Sequence, residues 1–208
     1  MKANSAQESQ DWLQQRAGKF TASRASDLMA KTRSGPSASR GNLIALLVAE
    51  RMTGHPVETY QNDAMRRGQE LEAEARDAYS FATGNAVEEV GFVAYAALPN
   101  TGCSPDGLIG DDGLLEVKCP ASMAKHLDAI LRGSHADEYR WQLQHQMMVT
   151  GRQWVAAVSY DPRWPEHLQL AIKTVQRDEE AIAELAAAIR EADAEIESFI
   201  TALEAKAA

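Results

Sequence analysis

The stretch Ser104-Pro105-Asp106-Gly107-Leu108-Ile109-Gly110-Asp111-Asp112-Gly113-Leu114-Leu115-Glu116-Val117-Lys118 decides how this chain folds. Asp106-Gly107 and Asp111-Asp112-Gly113 are turn chemistry, because glycine enters left-handed backbone at no steric cost. Apolar Leu114, Leu115 and Val117 predict a buried strand over about 113 to 119, and a strand over about 102 to 109 folds back against it. Side chains alternate across a strand, so Glu116 and Lys118 emerge on one face while Val117 enters the opposite layer. The hairpin brings Asp106 alongside Glu116. Two carboxylates at one place repel each other, and a lysine offsets that repulsion only in part. A divalent metal is the expected occupant, and the group reads as a kit for holding a hard cation beside a phosphodiester. The same letters also describe an exposed edge strand with an ion pair on its wet face. Pro105-Asp106 at this spacing and the apolar residues around Glu116 favour the catalytic reading.

Before the hairpin, residues 62 to 83 predict a long polar helix closed by Gly84, with Leu71, Ala75, Ala78 and Tyr79 as its inner stripe. Glu72 falls at the border of that stripe and looks toward the sheet, whereas Glu70 and Glu74 read as solvated. A strand follows at about 86 to 97. After the hairpin come helices at about 121 to 132 and 137 to 150, strands at 153 to 160 and 168 to 175, and an Ala- and Glu-rich helix over 178 to 206. Leu143 and Met147, with Trp141 as a further candidate, supply the buried stripe of the helix over 137 to 150, and Gln142 and Gln146 stack at i, i+4 on another, half-exposed face. At the other end, residues 11 to 30 predict a short helical turn, then Phe20-Thr21-Ala22-Ser23 capping a second helix. Residues 31 to 41 form a basic, small-residue loop, either a flap against phosphates or a plain surface loop. A helix spans 42 to 52. The order predicts an α/β fold, a central mixed sheet flanked by helices. One domain over 1–208, with an N-terminal helical segment and a C-terminal helix, accounts for the whole chain.

The 208 residues, 45% of them hydrophobic, suffice for a full core. The first ten residues lack the apolar centre of a signal peptide and no run approaches a membrane span, so a cytoplasmic protein without a membrane partner is expected. Cys103 and Cys119 form neither a metal-type pair nor a secreted framework, which fits a reducing compartment. Two cysteines cannot supply the four ligands of an iron–sulfur cluster, and none of the five histidines has metal-ligand spacing. A net charge of -9 argues against a nucleic-acid partner until its distribution is read. Residues 1 to 51 carry eight Lys or Arg against four acids, whereas residues 178 to 208 carry two against nine. The acidity belongs to a C-terminal helix that can lie far from a binding surface.

Ser104-Pro105-Asp106-Gly107 and Leu115-Glu116-Val117-Lys118-Cys119-Pro120 resemble the lambda exonuclease family, the YqaJ-type viral recombinases of the PD-(D/E)XK nucleases. The segment from Trp12 through Arg16 to Ser23, the block Gly68-Gln69-Glu70-Leu71-Glu72, the glutamine helix from Tyr139 through Gln142 to Met147, and Tyr160-Asp161-Pro162-Arg163 are similar to further blocks of that family, in order. The resemblance implies a restriction-endonuclease-like fold. It also implies an alkaline, magnesium-dependent exonuclease that degrades one strand of linear double-stranded DNA from its 5′ end. A ring-shaped homotrimer and a single-strand annealing protein as partner are implied with it. Asp106 and Glu116 would be metal ligands, with the Val117 carbonyl completing the set and Glu72 binding directly or through water. One or two Mg²⁺ ions would bind, and Mn²⁺ would substitute. Lys118 would orient or deprotonate the attacking water. Arg16, Ser23 and Ser104 match the pocket for a terminal 5′-phosphate, and Gln142 lies near the catalytic site. After Lys118 the chain is slightly shorter than the family pattern, and Lys125 is the nearest candidate for the basic residue expected there.

Overall fold

A computed structural model describes residues 10–33, 35–57 and 63–207 of the chain. In order these form α1 (Gln10–Arg16), β1 (Phe20–Thr21), a 3-10 turn (Ala22–Arg24), α2 (Ala25–Met29), β2 (Lys31–Thr32), β3 (Gly35–Pro36) and α3 (Ala38–Thr53). There follow α4 (Asp63–Thr83), β4 (Val87–Glu88), β5 (Val93–Ala94), β6 (Thr101–Cys103), β7 (Gly107–Ile109) and β8 (Gly113–Lys118). The chain continues with α5 (Met123–Arg132), α6 (Ser134–Glu138), α7 (Arg140–Thr150), β9 (Trp154–Tyr160), a 3-10 turn (Glu166–Leu168), β10 (Leu170–Gln176) and α8 (Glu179–Ala207).

The main sheet has five strands in the order β10-β9-β8-β7-β4. β8 and β9 pair in parallel, as the helical crossover between them requires, and the other neighbours pair antiparallel. Both faces are covered, and the alternation of β8 is what divides them. Leu114 packs with Val155, Ala157 and the apolar sides of α2, α3, α7 and α8, whereas Leu115 and Val117 pack with Ala156, Val158 and with Ala75 and Tyr79 of α4. Each of the fully buried leucines contributes about 1.5–3 kcal/mol from leaving water. Glu116 lies on the α7 side of the sheet. Close packing fixes the hairpin as well: a Cβ on Gly107 would meet Val87 Cγ1 at 2.2 Å, and one on Gly113 would meet the Trp154 ring at 2.3 Å.

A second sheet, β1-β6-β5, sits upstream of the hairpin. Here the expected capping segment Phe20-Thr21 is a strand, because it runs parallel to β6 with Phe20 opposite Thr101, and Thr21 makes no side-chain capping bond. The strand expected over 86 to 97 is two short strands in different sheets. β4 pairs with β7 and β5 with β6, and the glycine-containing run between them, Glu89-Val90-Gly91-Phe92, leaves one ladder for the other. The strand expected over 102 to 109 is interrupted at Ser104-Pro105-Asp106, and the helix expected from 137 divides at Tyr139. α3 starts at Ala38, earlier than the apolar spacing suggests, because the Ser37 hydroxyl accepts from Arg40 N at 3.2 Å. Within the expected basic loop, β2 and β3 form a small hairpin, and Ser34 between them lies outside the described residues. Among the described residues no helix is long and apolar enough to cross a membrane.

Candidate active site

The β7–β8 register sets Gly107 opposite Leu115, so the next pair along is Asp106 and Glu116. Asp106 N donates to Leu115 O at 3.1 Å, and Asp106 Oδ2 accepts from Val117 N at 2.7 Å. That bond anchors the first carboxylate to the strand bearing the second. Glu116, buried at 3% exposure, receives Lys118 Nζ and Gln142 Nε2 on Oε1, both at 2.5 Å, and Gln146 Nε2 on Oε2, also at 2.5 Å. Lys118 Nζ also lies 4.6 Å from the centre of the Tyr139 ring. Glu72 reaches the site from α4, held at 2.6 Å by Arg76, which also reaches Asp106 O at 3.5 Å and Glu89 at 2.8 Å. Glu74, expected to be solvated, accepts from the Tyr160 hydroxyl at 2.6 Å.

The charges here are crowded and poorly hydrated. Burial first, then Glu116 and Glu72, pushes the Asp106 carboxyl well above its ordinary range, with Lys118 and the Val117 amide opposing. Burial also raises Glu72, against the pull of Arg76 and with a push from Glu116. Burial works against the Lys118 charge, but Glu116 and Asp106 outweigh it, and the side chain is held as an ammonium. Among the described residues no three His, Cys, Asp or Glu side chains form a ready-made metal cluster. The acids are instead engaged separately, by Arg76, by the Val117 amide, and by Lys118 with two glutamines. The donors on offer are oxygens: two carboxylates and the Val117 carbonyl, with Glu72 beside them. Such a set suits a hard divalent ion, and a cation would relieve the repulsion that raises Asp106.

A cleft of about 650 Å³ opens on these groups, and every residue singled out from the sequence lines it: Asp106, Glu116, Val117, Lys118, Glu72, Gln142, Arg16, Ser23, Ser104 and Lys125. At its other end Arg16 donates to Ser104 Oγ at 3.4 Å, Ser23 Oγ at 3.2 Å and Thr21 Oγ1 at 3.4 Å. Its guanidinium stacks 4.3 Å from the Trp12 ring centre, and Trp12 Nε1 donates to Ser104 Oγ at 3.0 Å. Burial pushes Arg16 down to about 10, outweighing Cys103 and Glu50, so it stays charged near neutrality. Lys125 stands at the rim, exposed and paired with Glu138 at 2.9 Å.

Residues 11–153 match the YqaJ-like viral recombinase domain. The chain belongs to that family. This YqaJ-type chain is 42% identical to the alkaline exonuclease LHK-Exo from Laribacter hongkongensis, over 96% of its own length and 98% of the other's, with a TM-score of 0.88. The same values describe its likeness to LHK-Exo in complex with dAMP. A phage related exonuclease from Haemophilus somnus 129PT, at 12% identity, shares the fold alone, with a TM-score of 0.76 over 89% of this chain and 96% of that one. No curated protein matches the chain. The mixed sheet flanked by helices is thus the restriction-endonuclease-like fold expected of the YqaJ-type family.

Several contacts around this site were not read from the sequence. Arg76 stands at i+4 from Glu72, a spacing that signals an ion pair, yet its reach to Asp106 and Glu89 depends on the tertiary fold. Gln146 shares a face with Gln142, but that face, expected outside the buried stripe, is itself buried because both amides meet the Glu116 carboxylate, which periodicity does not say. Trp12 and Thr21 join Ser104 and Arg16 only because β1 and β6 are neighbours.

Proposed function

We propose that this protein is a magnesium-dependent exonuclease that degrades one strand of linear double-stranded DNA from its 5′ end to mononucleotides, at alkaline pH, in recombination by single-strand annealing. The observation that carries the reading is the single cleft, with acids and a lysine at one end and a hydroxyl-lined arginine at the other. Family membership and likeness to an alkaline exonuclease support a nuclease acting on DNA. LHK-Exo binds dAMP, a mononucleotide of the kind the proposed reaction releases.

Asp106, Glu116 and the Val117 carbonyl would hold Mg²⁺, one ion or two, with Glu72 directly or through water and with Mn²⁺ as a substitute. When bound, the metal supplies Lewis-acid polarisation of the scissile phosphate and a more acidic water. Lys118, held as an ammonium beside Glu116, orients the attacking water and stabilises charge that develops on the phosphate oxygens. Gln142 fixes Glu116 Oε1 and so the direction in which that carboxylate presents its lone pairs. Arg16 grips the terminal 5′-phosphate through its guanidinium, and Ser23 and Ser104 turn their hydroxyls to it. Lys125 contacts the DNA backbone at the rim. A homotrimeric ring around the duplex and a single-strand annealing protein as partner rest on the family resemblance.

Digestion of linear duplex bearing 5′-phosphate or 5′-hydroxyl ends, with and without Mg²⁺, tests polarity and chemistry together. The expected result is metal-dependent release of mononucleotides, faster from phosphorylated ends, with covalently closed plasmid left intact. Cleavage of the closed plasmid, or release that is indifferent to Mg²⁺, would overturn the reading.

A further inference from the structure

Gln146 is fully buried in the middle of α7, one turn after Gln142. Its Nε2 donates to Glu116 Oε2 at 2.5 Å, while its Oε1 has no hydrogen-bond partner among the described residues. A carboxylate accepts and cannot donate when ionised, so the amide nitrogen must be the atom that faces Glu116. Gln142 and Lys118 occupy the other carboxylate oxygen. Each oxygen of Glu116 therefore has its own amide, delivered by the same helix at i and i+4, and together they fix both the position and the plane of the carboxylate.

A buried amide oxygen without a partner costs the fold its desolvation, and an apolar side chain of the same size would avoid that cost. Leu143 and Met147 beside it show that α7 packs apolar residues at full burial. Packing alone does not account for a glutamine here. We infer that Gln146 is a positioning residue, whose amide holds Glu116 Oε2 so that the carboxylate is presented to its cation in one orientation. The inference rests on the proposed metal-dependent nuclease reading. It adds to that reading a residue outside the cleft lining, acting through Glu116 rather than on DNA.

The test replaces the donor by apolar groups of two shapes, Gln146→Met and Gln146→Leu, in the full-length chain. Mn²⁺ binding to the DNA-free protein is followed by electron paramagnetic resonance, and kcat and KM are measured on linear 5′-phosphorylated duplex. Removing a group that orients a metal ligand typically costs about 10–100-fold in metal affinity or activity. Both variants are expected to weaken Mn²⁺ binding and lower kcat by about that factor, with KM for DNA nearly unchanged, the folded fraction being followed by circular dichroism. Mn²⁺ affinity and kcat at parent values in either folded variant would overturn the inference, and so would a loss confined to one shape or explained by the unfolded fraction. If the parent protein itself bound no Mn²⁺ and cut no DNA, the nuclease reading would fail, a result distinct from parent-like variants of an active enzyme.

Discussion

The two ends of the cleft solve opposite electrostatic problems. At the acid end each charge is matched inside the protein: Glu72 with Arg76 at 2.6 Å, Glu116 with Lys118 at 2.5 Å, and Asp106 with a main-chain amide. At the other end, among the described residues, Arg16 touches only hydroxyls and an indole ring and forms no ion pair. The first arrangement keeps mutually repelling carboxylates in place and leaves oxygens for a cation. The second keeps a partly buried cation short of an anion, which favours a ligand that brings one. On the proposed reading, a DNA terminus carrying phosphate would satisfy the second demand while its scissile bond lay toward the first.

The largest expected effect breaks the acid end alone. Lys118→Ala and Asp106→Asn should each lower turnover by at least about 10²–10³-fold, the usual cost of removing a group that stabilises developing charge, in protein whose circular dichroism shows the fold preserved. A folded variant with near-parental turnover would remove that residue from the chemistry. A smaller effect tests the arginine end. Arg16→Ala should reduce the preference for 5′-phosphate over 5′-hydroxyl ends by about 10–100-fold, corresponding to charge-assisted hydrogen bonds of ~1.5–3 kcal/mol. Digestion rates on the two substrates measure this directly, and an unchanged ratio would place the phosphate pocket elsewhere.

The smallest effect on turnover separates the acid end from the packing behind it. His145 on α7 is buried at 1% exposure with neither ring nitrogen partnered among the described residues, and burial pushes its imidazole from 6.5 down to about 3. The unfolded chain takes up this proton near 6.5, whereas the fold resists it to about 3, so the contribution to stability is full above 6.5 and is lost as pH falls between those values. The slope is up to ~1.4 kcal/mol per pH unit from this residue. Chemical denaturation across that window should show His145→Leu losing less stability on acidification than the parent. Equal slopes would mean that other groups dominate acid unfolding.

The acid end was legible because a hairpin converts sequence spacing into spatial pairing: two turn signals and strand alternation put Asp106 by Glu116 and turned Lys118 to the same face. The arginine end could not be derived that way. Arg16 and Ser104 are 88 positions apart and meet through the β1–β6 pairing, which no local pattern announces, so family resemblance alone brought them together. Alternation also ran on through 86 to 97, although the backbone changes partner there, because pairing is a tertiary choice. The helices were better resolved, since glycine stops such as Gly84 and Gly151, both at positive φ, are local.

Anomalous scattering from crystals of the Lys118→Ala protein, grown with Mn²⁺ and a short 5′-phosphorylated duplex, probes both ends at once. The account predicts an anomalous peak bounded by Asp106, Glu116 and the Val117 carbonyl, with the terminal phosphate against Arg16, Ser23 and Ser104. Manganese bound away from those acids, or a duplex end seated away from Arg16, would contradict it.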